Sequence, residues 1–341
     1  MDTSFESQRN LLLDHLKNLN TNDFQSAHAL KLQMFRFQYK YNSIYQNYCK
    51  SLRISPDLVK ESRDIPFLPI TAFKYHDVKT GCFDETMVFG SSGTTGTNRS
   101  FHFVRDLQHY IDNTVQLWQH YFDSVEQYCF LALLPGYLER EGSSLISMIS
   151  HFIKISKHKQ SGFYLRNHDD LFEKLSECQQ NEIPTVLFGV SHALLDFSEK
   201  YPLSYPDLMI METGGMKGHL PEITKSELHT LLSVRFGSKH IHSEYGMTEL
   251  MSQSYATDSI LFRPNALLQV KTHQINDPLT EEKHGKTGII CVTDLANIDS
   301  CSFIQTEDTG ILYPDGSFEI MGRLDASDIR GCNLLLEDIR S

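Results

Sequence analysis

The chain has 341 residues, 40% of them hydrophobic and 22% charged, with 31 Lys/Arg against 43 Asp/Glu and a net charge of −12. That length supports a large buried core and about two domains, while an acidic balance with no block of Lys/Arg excludes the basic stripe of a nucleic-acid-binding face. Seven scattered cysteines, without a C-x-x-C pair, argue against a disulfide framework or a zinc site and point to a reducing, cytoplasmic compartment. The N-terminus MDTSFESQRN carries no signal pattern, and no apolar run approaches the ~18 residues of a membrane span.

Along the chain, residues 1–60 read as a helical segment, because apolar residues recur at helical spacing through LLLDHLKNL and FRFQYKYNSIYQNYCKSL. Two prolines in DIPFLPITAFKYHDV (64–78) then force extended or turn geometry. Residues 61–255 alternate short β-type runs with helical stretches: TMVFG, YCFLALLPG before SSLISMISHFIK, TVLFGVS before HALLDFSEK, and DLMIME before GGMKG. This pattern predicts an α/β core whose mixed or parallel sheet is flanked by helices and carries ligands at the strand C-terminal ends. Residues 256–341 change texture to a β-rich third, with runs LLQVKTHQI, TGIICVTDL, TGILYP, GSFEIMG and SDIRGCNLLL between Gly, Asp and Pro turns.

Between residues 88 and 100 stands VFGSSGTTGTNRS, three glycines set among Ser and Thr hydroxyls behind a short apolar run. Backbone N–H groups freed by glycine, flanked by hydroxyls, form a concave set of donors suited to phosphate oxygens; the same composition also suits an ordinary surface turn. Three further stretches follow in order: SEYGMTEL (243–250), TEDTG (306–310) and GRLDASDIRGCN (322–333). Taken singly, Glu249 is a loop carboxylate, and Asp308 and Arg323 are a turn residue and a surface ion pair. FGVSHA (188–193) resembles the nucleophile elbow of an α/β-hydrolase, with Ser191 as nucleophile, although Ala193 stands where the second glycine belongs. His240 and His242 in KHIH share a strand face but lack an obvious third metal ligand. Cys332, beside Gly331 and two residues from Arg330, is either a buried structural thiol or one whose thiolate a nearby cation favours.

As an ordered set, the four motifs resemble those of the adenylate-forming enzymes, the group of acyl-CoA and phenylacetate ligases. The resemblance implies the large N-terminal domain of that fold, with ATP and Mg²⁺ as cofactors. It places Ser91, Ser92, Gly93, Thr94, Thr95 and Gly96 around the ATP phosphates, and Gly214 and Gly215 of METGGMKG beside the adenine and the acyl carboxylate. Tyr245, Gly246 and Met247 then lead to Thr248, which touches phosphate, and Glu249, which holds the metal. Asp308 meets the ribose hydroxyls and Arg323 approaches the nucleotide. A closer likeness, in YNSIYQNYC, DIPFLPITAFKYHDV and RGCNLLLEDIRS, is to the LuxE-type acyl-protein synthetases of bacterial luminescence. These activate a fatty acid as acyl-AMP, load it on their own cysteine, here Cys332, and pass it to a reductase partner. Two departures stand out: Arg99 occupies the place of a lysine after the phosphate loop, and the usual small C-terminal domain with its catalytic lysine is absent from this sequence. The alternatives are an acyl- or aryl-CoA ligase, a nucleotide-binding partner without catalysis, and the Ser191 hydrolase.

Overall fold

The computed structural model describes residues 4–91, 99–135, 142–165, 167–214 and 223–324. The chain divides into two compact units: Met1–Asn113 with Thr248–Ser252 and Pro264–Ser341, and Thr114–Met247 with Gln253–Arg263.

Three helices open the first unit, α1 (Phe5–Lys17), α2 (Phe24–Tyr41) and α3 (Ser43–Ser51). Each starts on a side chain able to take an orphan backbone N–H: Ser4, Asp23 and Asn42 accept from Ser7, Ser26 and Tyr45. Strand β1 (Leu68–Pro69) and the single turn α4 (Ala72–Tyr75) follow. The hairpin of β2 (Met87–Gly90) and β3 (Phe101–Val104) comes next, with Gly90 opposite Phe101. Helix α5 (Leu107–Tyr121) carries the chain into the second unit.

That second unit holds β4 (Cys129–Leu133), α6 (Ser144–Ile155), β5 (Gly162–Phe163), α7 (His168–Gln180), β6 (Thr185–Val190), α8 (Ser191–Lys200), β7 (Met209–Thr213), α9 (Lys225–Phe236), β8 (Ile241–Tyr245) and β9 (Ser254–Ala256). Its sheet runs in the order β5-β4-β6-β7-β8-β9, parallel throughout except for β9. Strands β4 and β6 are buried along their whole length, as central strands covered on both faces must be. Around Trp118, itself without exposure, gather Phe122, Tyr128, Phe130, Phe152 and Tyr255, with ring centroids 4.5–5.9 Å away.

Back in the first unit, β10 (Leu268–His273), β11 (Thr287–Asp294), β12 (Phe303–Leu312) and β13 (Phe318–Arg323) form a sheet with β1. The TEDTG motif and the TGILYP run, separate in the sequence reading, fall within one strand: β12 takes β1 alongside its first half and β13 alongside its second. The register slips between Thr309 and Gly310, where a Cβ on Gly310 would lie 2.1 Å from the Glu319 carbonyl oxygen. Only glycine admits so close a backbone. The mixed α/β architecture with a β-rich C-terminal part agrees with the sequence reading.

The 295–302 turn between β11 and β12 is held by the opening helices. Arg9 grips Asp299 with two bonds of 2.5 and 2.6 Å. Gln38 donates to the carbonyls of Asn297 and Ile298 and accepts from the Ser302 N–H. Asn42 caps α3 through Oδ1 while its Nδ2 donates to the Ser300 carbonyl at 2.9 Å and to Thr80 Oγ1 at 3.3 Å. Asn42→Ala therefore removes a cap and two buried hydrogen bonds at once. Urea unfolding should show a loss of about 2 kcal/mol or more; a loss below about 0.5 kcal/mol would mean that the cap and the turn are not coupled.

Candidate functional site

Thr248–Ser252 belongs to the first unit although it lies between two stretches of the second. Short and irregular, it is held by side chains from well-ordered elements. Asp294, at the end of β11 and without exposure, accepts from the Met251 and Ser252 N–H groups at 2.6 and 3.0 Å and from the Ser252 hydroxyl at 2.6 Å. Burial pushes its carboxyl up, and these donors pull the other way. Asn113 donates to the Met251 carbonyl and to Ser252 Oγ. Asn297 donates Nδ2 to the Glu249 carbonyl at 2.7 Å. His102, from β3, donates Nδ1 to the Thr248 carbonyl at 2.9 Å, while its Nε2 faces Asn297 Oδ1 at 3.1 Å. Burial brings the His102 imidazole down to about 4.

This scaffold presents Glu249, 5% exposed, with its carboxylate against the Ser100 hydroxyl. Burial pushes the Glu249 carboxyl up; the Ser100 bond and the positive charges of Arg323 and Lys74 oppose it. Arg323 and Asp308 stand opposite each other on β13 and β12, joined by Nε–Oδ1 at 3.1 Å. Asp308 is buried while the Arg323 side chain is 53% exposed. Next door, Lys74 pairs with Glu307 at 3.3 Å. Glu249, Asp308 and Arg323, far apart in sequence, thus share one charged neighbourhood of this unit. Ser91 lies at the same hairpin as Ser100, and Arg99 Nε donates to the Ser91 carbonyl at 2.8 Å.

In the second unit, Tyr245 ends β8 with its ring 5.7 Å from Phe262. Gly246 follows it, and a Cβ there would sit 2.5 Å from Glu244 Oε1, so a side chain would collide with that carboxylate. Met247 is the last residue before the chain enters the first unit. Gly214 follows β7 at φ +77°. Its carbonyl accepts from the Ser191 hydroxyl, which also donates to Glu212 at 3.0 Å. Those bonds commit Ser191, 1% exposed, to the end of β7, which argues against a serine nucleophile. Glu212 further accepts from Lys225 and Ser243, each at 2.5 Å. Burial would raise its carboxyl, but the charge of Lys225 with bonds from His229, Lys225 and Ser243 brings it down to about 2. Across the sheet, Glu244 accepts from Thr213, and burial together with the charge of Glu212 lifts it to about 7.

Of the residues that the motifs single out, Ser92, Gly93, Thr94, Thr95, Gly96, Gly215 and Cys332 lie outside the described residues. Of the six cysteines inside them, none in a disulfide, Cys82 alone is exposed. The rings of His240 and His242 stand 6.4 Å apart, and among the described residues no group of three or more His, Cys, Asp or Glu could hold a metal ion. The apolar runs YCFLALLPG and TVLFGVS supply the core strands β4 and β6. Also among the described residues, no helix is long and apolar enough to cross a membrane.

Ser100, His102, Asn113, Asp294 and Asn297 were not found by sequence reasoning. In FHFV the alternation misleads, since Phe101 is 42% exposed and His102 only 2%. Asp294 and Asn297 in TDLAN read as ordinary turn residues.

Residues 16–106 match the family model described as acyl-protein synthetase, LuxE. No curated protein matches the chain. Among solved structures it is similar to 2-hydroxyisobutyryl-CoA ligase bound to 2-HIB-AMP and CoA, with TM-score 0.66 and 11% identity over 90% of this chain and 74% of that one. It is also similar to ATP-bound MatB from Rhodopseudomonas palustris (TM-score 0.54, 16% identity, 71% of this chain and 49% of that one). A third similar structure is O-succinylbenzoate coenzyme A synthetase from Bacillus subtilis with ATP and magnesium ion (TM-score 0.50, 20% identity, 71% and 51%). The chain shares its fold with these solved structures.

The buried Glu244 carboxyl makes stability depend on pH. Its folded value, about 7, lies above the ordinary 4.5. The stability it contributes is complete below pH 4.5 and is lost as pH rises through 7. Glu244→Gln should abolish that loss, up to about 3 kcal/mol, in urea unfolding measured from pH 4.5 to 8. Parallel curves for the two proteins would show that Glu244 ionises normally.

Proposed function

We propose that this protein activates a carboxylic acid with ATP and transfers the acyl group to a thiol. A carboxylate oxygen attacks the α-phosphorus, the bond to the pyrophosphate oxygen breaks, and acyl-AMP forms. A thiolate then attacks the acyl carbon and AMP leaves. Free carboxylates do not acylate thiols, because hydroxide is a poor leaving group; AMP is a good one. One observation carries this reading: in a chain of this fold, three separate motifs between residues 243 and 333 bring Glu249, Asp308 and Arg323 into one charged neighbourhood.

Asp308 would accept from the ribose hydroxyls, and Arg323, held opposite it, would offer its exposed guanidinium to the α-phosphate side of the nucleotide. Ser91 to Gly96 would donate to the phosphate tail, with Arg99 as a fixed planar donor where relatives of this type carry lysine. Thr248 would touch phosphate, and Gly214, Gly215, Tyr245, Gly246 and Met247 would border the nucleotide and the acid. Glu249 offers a hard oxygen donor, which fits Mg²⁺ held by one carboxylate together with nucleotide phosphates. When bound, that ion would neutralise charge as one anion attacks another.

The acyl-protein synthetase match over residues 16–106 supports a protein thiol as acceptor; the resemblance of RGCNLLLEDIRS to the LuxE type would make that thiol Cys332, with a fatty acid as substrate and a reductase partner as the next station. Coenzyme A is the second reading of the thiol, supported by the CoA bound in the similar 2-hydroxyisobutyryl-CoA ligase. The test is incubation with ATP, Mg²⁺ and a panel of labelled acids. Pyrophosphate exchange should depend on the acid and fall by about 100-fold or more in Glu249→Gln. Label should become protein-bound, be released by neutral hydroxylamine, and be lost in Cys332→Ser. Exchange with no covalent label, and label found in CoA when CoA is added, would move the acceptor to the second reading; no exchange with any acid would overturn both.

A further inference from the structure

We propose that Ser100 is a positioning residue for the Glu249 carboxylate. The role rests on the nucleotide reading above. Ser100 is fixed on both sides of its peptide: its N–H donates to Ser91 Oγ at 3.0 Å, and its carbonyl accepts from the Ser91 N–H at 3.0 Å. Ser91 and Ser100 are therefore held against each other. The Ser100 hydroxyl, on a residue 1% exposed, donates to Glu249 Oε1. An ionised carboxylate only accepts, so the single hydroxyl proton is spent on it.

The two ends of Glu249 are thus held by different elements. Asn297 and His102 fix the carbonyls of Glu249 and Thr248, which sets the backbone. Ser100 acts on the side chain and selects where the carboxylate oxygens stand. A serine with its peptide already locked has little freedom to lose in doing so. Groups that orient a metal ligand in this way typically change metal affinity by 10–100-fold when removed.

Mn²⁺ with a non-hydrolysable ATP analogue, followed by electron paramagnetic resonance on the full chain, tests the role. Ser100→Ala should weaken Mn²⁺ retention in the ternary complex roughly tenfold, while Ser100→Thr, which keeps the hydroxyl, should stay within about twofold of wild type. Thermal unfolding of the same samples separates a lost hydrogen bond from a lost fold; should Ser100→Ala not fold, Ser100→Cys, nearly isosteric with a weaker donor, carries the same expectation. Equal Mn²⁺ affinity in wild type and Ser100→Ala, or equal loss in Ala and Thr, would overturn the role. Failure of the functional reading looks different, since graded Mn²⁺ affinities would then persist without acid-dependent pyrophosphate exchange. A wild type that retains no Mn²⁺ overturns the role and the metal assignment together.

Discussion

The first unit depends on one buried side chain at the end of a strand. Asp294 takes two backbone N–H groups and a hydroxyl from Met251 and Ser252, and so gives a segment with no regular structure a fixed place to stop. An isolated carboxylate buried this completely would be costly. Here the donors that satisfy it are the backbone groups that would otherwise be orphaned, so a single arrangement settles both needs. Asn113, Asn297 and His102 add further bonds to the same five residues. Geometry at Glu249 is thereby determined by the β11–β12 turn rather than by local propensity.

Much of the framework could be read directly. Apolar runs with glycine behind them marked β4, β6 and β7, because a parallel strand buried on both faces has few ways to be polar. Helical spacing marked α1 to α3. Glu249, Asp308 and Arg323 were singled out because their motifs have fixed residue types in a fixed order. The polar scaffold was not legible. Ser100, His102 and Asn297 are single polar residues whose partners are up to about two hundred residues away, and nothing in a linear pattern records a partner at that range. Ser191 shows the converse: a serine between a strand and a helix looks like a nucleophile until its two acceptors are visible.

The second unit spends its buried charge differently. Glu212 is surrounded by Lys225, Ser191 and Ser243, so its ionised form is stabilised. Glu244, one residue further along the neighbouring strand, is buried and feels the Glu212 charge, so its neutral form is favoured up to about pH 7 although the Thr213 bond opposes it. Two carboxyls on adjacent parallel strands take opposite states because Lys225 outweighs burial at Glu212, whereas burial and the Glu212 charge prevail at Glu244. Gly246 completes the arrangement by leaving room for Glu244.

The Arg9–Asp299 pair changes what the first helix is for. The stretch that matches the family model starts at residue 16, downstream of Arg9. A shortened protein trimmed to that boundary would look complete by its ancestry, yet it would leave the Asp299 carboxylate without its main cation in the turn that also carries Asn297. Damage at the amino terminus would then surface as a misplaced Glu249 on the far side of that turn.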